Sequence, residues 1–224
     1  MIVGINLDDT VRRYRRYLLR GAGPFSYDPA RAAAPFALDH SLNLDMLLRQ
    51  CELTRPPDGR KPNAQIIRSL WRLGGEKQWA SYDPPRWQLD FRSDLAVSIR
   101  ADRLVVEDEK PYLFWMQMRM GITAPTPAQL ALLGRLFMLQ AARAGYSDVG
   151  LLIADMRNVD GDERVLRLIP IAELVIASEA EAESKLQLFA DAHDQLMREG
   201  FDPKAERMAR RRRPDGEGPQ PSFL

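Results

Sequence analysis

Three polar residues lie where one small region could do phosphate chemistry: Asp102, Gln117 and Arg119. Gln117 and Arg119 are two apart in an apolar run, so on a strand both side chains share one face while Met116, Met118 and Met120 face the other. Asp102 and Gln117 offer oxygens, one charged and one neutral. Arg119 can clamp a phosphate with its forked guanidinium but cannot take a proton from water. Their bland alternative is a strand-end carboxylate and a polar sheet face, with Asp102 and Arg119 joined as a cross-strand ion pair. A second group is the basic cluster Arg12, Arg13, Arg15 and Arg16, interleaved with Tyr14 and Tyr17. Such a cluster can bind nucleic-acid phosphates and stack bases, or form a solvated helix face.

The remaining chemistry is sparse. His40 and His193 are the only histidines, too few for a histidine metal centre. The single cysteine, Cys51, excludes an intramolecular disulfide and reads as a small apolar core residue. No glycine-rich phosphate loop, dinucleotide fingerprint or serine nucleophile elbow is present. Net charge is +1, from 32 basic and 31 acidic residues, so no global field points to nucleic acid or membrane. No apolar run reaches the roughly 18 residues of a membrane span, and the N-terminus lacks a secretory h-region. The expectation is a cytoplasmic protein with no membrane partner.

The elements that would position these residues follow from local pattern. Met1–Leu7 suggests a short strand, and Asp8 or Asp9 can cap a helix over 10–20. Residues 21–35 are Gly/Pro/Ala-rich and expected to be irregular. A helix is predicted from Asp39 on, and another over 63–73, capped by Asn63 and stopped by Gly74-Gly75. Strands are predicted near 87–92, 95–106, 112–120, 149–154 and 164–169. Thr126-Pro127-Ala128-Gln129 reads as a capping box opening a helix over 127–144, and Ser178 to Glu181 as another opening a helix to about 198. The segment from Pro203 is basic and expected to be a flexible tail. Three regions result: a helical region 1–80, an α/β core 81–202 and the tail 203–224.

The order of a strand with Asp102, a strand ending in Gln117-Met118-Arg119, a capped helix and the strand 149–154 resembles the PD-(D/E)XK nuclease superfamily. Its signature is an aspartate followed by (Glu/Asp/Gln)-x-Lys, and here the second half is Gln-x-Arg. The resemblance implies a restriction-endonuclease-like core, a mixed central β-sheet flanked by helices. It implies Mg²⁺ held by Asp102 and Gln117, a scissile phosphate at Arg119, and DNA as substrate. Gln129 is similar to the glutamine that opens a helix and reaches the active site in RecB-type nucleases. Gln129 also has a capping role available, as the third residue of its helix. Glu107 or Asp94 could add a carboxylate. Hydrolysis of phosphodiesters is the first functional expectation; a catalytically inactive nuclease-like fold that binds nucleic acid or protein is the second. An unrelated α+β domain is the third.

Overall fold

The computed structural model describes residues 4–19, 25–85, 87–92, 95–118, 126–156, 158–160 and 163–212. Their order is α1 (Leu7–Leu19), α2 (Asp28–Leu38), α3 (Leu44–Glu52), α4 (Arg60–Lys77), β1 (Ala80–Tyr82), β2 (Trp87–Arg92), β3 (Leu95–Ile99), β4 (Arg103–Glu107) and β5 (Lys110–Gln117). There follow α5 (Pro127–Arg143), β6 (Gly150–Asp155), β7 (Asn158–Asp160), β8 (Glu163–Arg164), β9 (Arg167–Pro170), α6 (Glu179–Arg198) and α7 (Pro203–Arg212). The chain forms two compact units, Pro24–Glu183 and a smaller one made of Met1–Gly23 with Ser184–Leu224.

The larger unit is α/β. Its five-stranded mixed sheet has the order β1-β4-β5-β6-β9, and only the β5–β6 pair is parallel. A two-residue turn, Asp108-Glu109 with both φ positive (49° and 65°), links β4 to β5, as a tight hairpin requires. The parallel β5–β6 pair needs a crossover, and α5 supplies it. One sheet face, with Val105, Phe114, Met116, Leu152 and Ala154, packs on α2, α3 and α4 through Ala30, Ala33, Ala34, Leu47, Ile66, Ile67 and Leu70. Leu113, Leu151 and Ile153 alternate to the opposite face and are also buried, where α5 meets β6.

Several local expectations change. Residues 4–6 are not a strand but the entry to α1, which Asn6 caps by accepting from the Asp9 amide at 2.9 Å. The alanine-rich stretch placed among irregular residues is helix α2. Its buried faces are alanines, so it lies close enough to α4 that a Cβ on Gly74 would meet the Leu38 and Ala37 carbonyl oxygens at 2.5 and 2.6 Å. Gly74-Gly75 therefore do not end α4. The helix runs on to Lys77 and stops at Gln78, which takes the left-handed conformation (φ 50°).

Asn63 does not cap α4 either. It is fully buried inside that helix and caps α2 across space, accepting from the Ala30 amide at 3.0 Å while donating to the Ser26 and Gly59 carbonyls. The strand expected over 95–106 divides at Arg100–Asp102, and β2–β3 form a separate antiparallel pair outside the main sheet. The strand expected over 164–169 likewise divides into β8 and β9. Both predicted capping boxes are present at their serine or threonine: Thr126 Oγ accepts from the Gln129 amide and Ser178 Oγ from the Glu181 amide.

The smaller unit is helical. Val11, Ala192, Leu196 and Phe201 form its core, with Leu7, Tyr14 and Leu18 against them. The segment expected to be a flexible tail begins with a helix, because Asp202 accepts from the Lys204 and Ala205 amides and starts α7.

Candidate functional site

Because β4 runs antiparallel to β5 and β5 parallel to β6, Asp102, Gln117 and Asp155 come to the same end of the sheet. Asp102 sits just before β4, and its backbone amide still donates to the Phe114 carbonyl at 2.8 Å. One step further along the ladder its side chain replaces a backbone carbonyl: Oδ2 accepts from the Met116 amide at 2.7 Å. The other oxygen, Oδ1, accepts from Arg31 Nε at 2.9 Å. The carboxylate is 11% exposed while the Arg31 side chain is 48% exposed, so the aspartate is the fixed partner and the guanidinium forms the rim. Arg31 follows directly on Ala30, the residue that Asn63 caps, so the buried amide on α4 sets where this arginine stands.

Gln117 lies between Met116 and Met118, which both enter the core under α2–α4, so strand alternation turns it to the other face. Its register partner on β6 is Asp155, a buried carboxylate engaged in a polar interaction. Sequence pattern does not single out Asp155, because it stands one residue beyond the apolar strand expected over 149–154, whereas β6 includes it. Arg119 lies outside the described residues. Gln129 spends its side-chain oxygen on the capping box, accepting from the Thr126 amide at 3.0 Å.

Glu107, expected as a further carboxylate, is at the far end of β4 and pairs there with Lys77 at 2.8 Å. Asp94 is outside the described residues. Of the oxygens expected to hold Mg²⁺, each on Asp102 already accepts a hydrogen bond, and Gln117 faces elsewhere. Among the described residues no three Asp, Glu, His or Cys side chains cluster as ligands. This donor set does not fit a Mg²⁺ cage, which needs several hard oxygens converging on one point.

A second arginine secures the same end of the sheet. Arg164 is buried; its Nη1 donates to the Met118 and Met156 carbonyls at 2.5 and 2.9 Å, and Nη2 donates to the Tyr27 hydroxyl at 2.8 Å. Its guanidinium also lies 5.2 Å from the Tyr27 ring centre. It thus ties the residues just past β5 and β6 to Tyr27, the residue before α2. Only its partners reveal this, and two of them, Met118 and Tyr27, are 46 and 137 positions away.

In the smaller unit the four arginines of α1 separate. Arg12 and Arg13 both bond Asp9, at 2.6 and 2.9 Å, and hold its carboxyl at about 2, Arg12 contributing most. Arg15 pairs with Glu199 and lies 5.3 Å from the Phe201 ring centre. Arg16 has no ion pair among the described residues. Tyr14 turns inward, against Phe189 and with its hydroxyl 3.4 Å from His193 Nδ1, so it is not a base-stacking platform. His40 stacks on Trp71 with ring centres 3.8 Å apart. Cys51 is a core residue whose thiol burial pushes up.

Compared with protein-family models, curated proteins and solved structures, the chain matches none. Among the described residues no helix is long and apolar enough to cross a membrane.

Proposed function

We propose that the chain is a nucleic-acid-binding protein on a PD-(D/E)XK-like, restriction-endonuclease-like scaffold and that it does not hydrolyse the strand. The order β4, β5, α5, β6, with Asp102 opening β4 and Gln117 closing β5, supports the scaffold. The observation that carries the non-hydrolytic reading is the state of Asp102. Its two oxygens complete the sheet ladder and bind Arg31, so the aspartate that resembles the family's metal ligand acts as a structural anion. Arginine at position 119 points the same way, since it can hold a phosphate but not accept a proton.

The test is fluorescence anisotropy with labelled single- and double-stranded DNA, run with and without Mg²⁺, beside a gel assay for cleavage. The expected result is salt-sensitive binding that needs no metal, with intact strands. A second reading, a Mg²⁺-dependent DNA nuclease, is favoured by Asp155 standing beside Gln117. It requires Arg31 to leave Asp102. Cleavage by the wild type that disappears in Asp102→Ala would establish it and overturn the first reading.

A further inference from the structure

The arginines of α1 are not equivalent, and their difference defines a surface. Asp8, Val11, Arg12, Arg15, Arg16 and Leu19 recur at helical spacing along one face of α1. With Gln195 of α6 and Glu199, the residue after it ends, they line an open cavity of about 520 Å³. Arg13 lies outside this face.

Charge decides what the cavity accepts. Glu199 neutralises Arg15 and holds it against Phe201, with Gln195 donating to the other Glu199 oxygen at 3.0 Å. Arg15 is therefore a braced wall. Asp9 carries one charge divided between two arginines, so the Arg12–Arg13–Asp9 group keeps one excess positive charge. Arg16 adds a second and Asp8 removes one, so the face keeps one net positive charge. The whole unit has thirteen Lys and Arg against nine Asp and Glu, although the chain is nearly neutral. The apolar floor of Val11 and Leu19 leaves room for a sugar or base edge beside an anion.

We propose that this cavity binds the phosphodiester backbone of a nucleic acid, with Arg12 and Arg16 donating to phosphate oxygens. The inference rests on the nucleic-acid reading and names a contact surface for it. Guanidiniums suit this task because they donate in a planar fork to two oxygens at once.

The experiment measures oligonucleotide affinity by anisotropy for the full chain and for Arg12→Glu/Arg16→Glu, Arg16→Gln and Arg13→Gln, with circular dichroism confirming helicity. The double variant should lose about tenfold or more in affinity, and the slope of log affinity against log salt should become shallower by roughly one per lost phosphate contact. Arg16→Gln, which breaks no ion pair among the described residues, should weaken binding severalfold; Arg13→Gln, which leaves Asp9 to neutralise Arg12 but removes no side chain from the cavity, should weaken it less than Arg16→Gln. Wild-type binding that survives in both Arg16 variants overturns the cavity and leaves the nucleic-acid reading standing. A wild type that binds no oligonucleotide overturns both. Competition by inorganic phosphate as effective as by unlabelled oligonucleotide also overturns the backbone assignment.

Discussion

The sheet end and the α1 face both bring arginines to carboxylates, but they use them in opposite ways. At the sheet end the charges are consumed by the fold: Asp102 closes a ladder and anchors Arg31, and Arg164 binds the carbonyls just past two strands. On α1 the arginines outnumber the acids that hold them, and one face of them borders an open cavity. Removing the buried Arg164 guanidinium leaves two buried carbonyls without their donor, so its loss costs stability. A surface guanidinium costs little to lose, so its loss is visible only when a ligand is present.

This contrast can be broken at several points. The largest effect is expected at Asn63, which serves three backbone groups in the core. Asn63→Ala should destabilise the protein by about 3 kcal/mol in urea denaturation, from unsatisfied buried donors and acceptors. Gly74→Ala should follow, with a loss of about 1–3 kcal/mol because a methyl would strike the backbone of α2. A neutral result would mean that α2 is free to shift and that Arg31 is not fixed by packing.

The Asp102 pair divides ladder from charge. Asp102→Asn keeps an acceptor for the Met116 amide and weakens only the Arg31 contact, so it should cost about 1 kcal/mol or less; Asp102→Ala should cost about 2. A double-mutant cycle with Arg31→Ala should give a coupling of about 0.5–1 kcal/mol, reduced by the exposure of Arg31. The smallest effect is on pH dependence at α1. The Asp9 carboxyl is held at about 2, below its ordinary 3.8, so its contribution is complete above pH 3.8 and fades as pH falls through 2. Nuclear magnetic resonance titration of Asp9 should show that midpoint rise in Arg12→Gln.

Legibility in the sequence followed the range of the interactions. The α5 capping box, the β4–β5 hairpin and the apolar strand β6 depend on neighbours a few residues away, and their residues declare them. Helix α2 was hidden because its prolines and alanines resemble a loop, while its stability comes from packing on α4. Asn63 has the sequence setting of a local cap, yet its partners include residues 33 and 37 positions back. The Arg31–Asp102 pair spans 71 positions, so nothing near either residue announces it. The juxtaposition of Asp102 with Gln117 was legible as strand order, but the direction in which each side chain points was not.

The most direct test of the central claim is Mn²⁺ titration followed by water proton relaxation, comparing wild type with Asp102→Ala. With Asp102 committed to Arg31 and the Met116 amide, the account predicts no saturable site below millimolar Mn²⁺ and no difference between the two proteins. One stoichiometric Mn²⁺ site in the wild type, lost in Asp102→Ala, would contradict it.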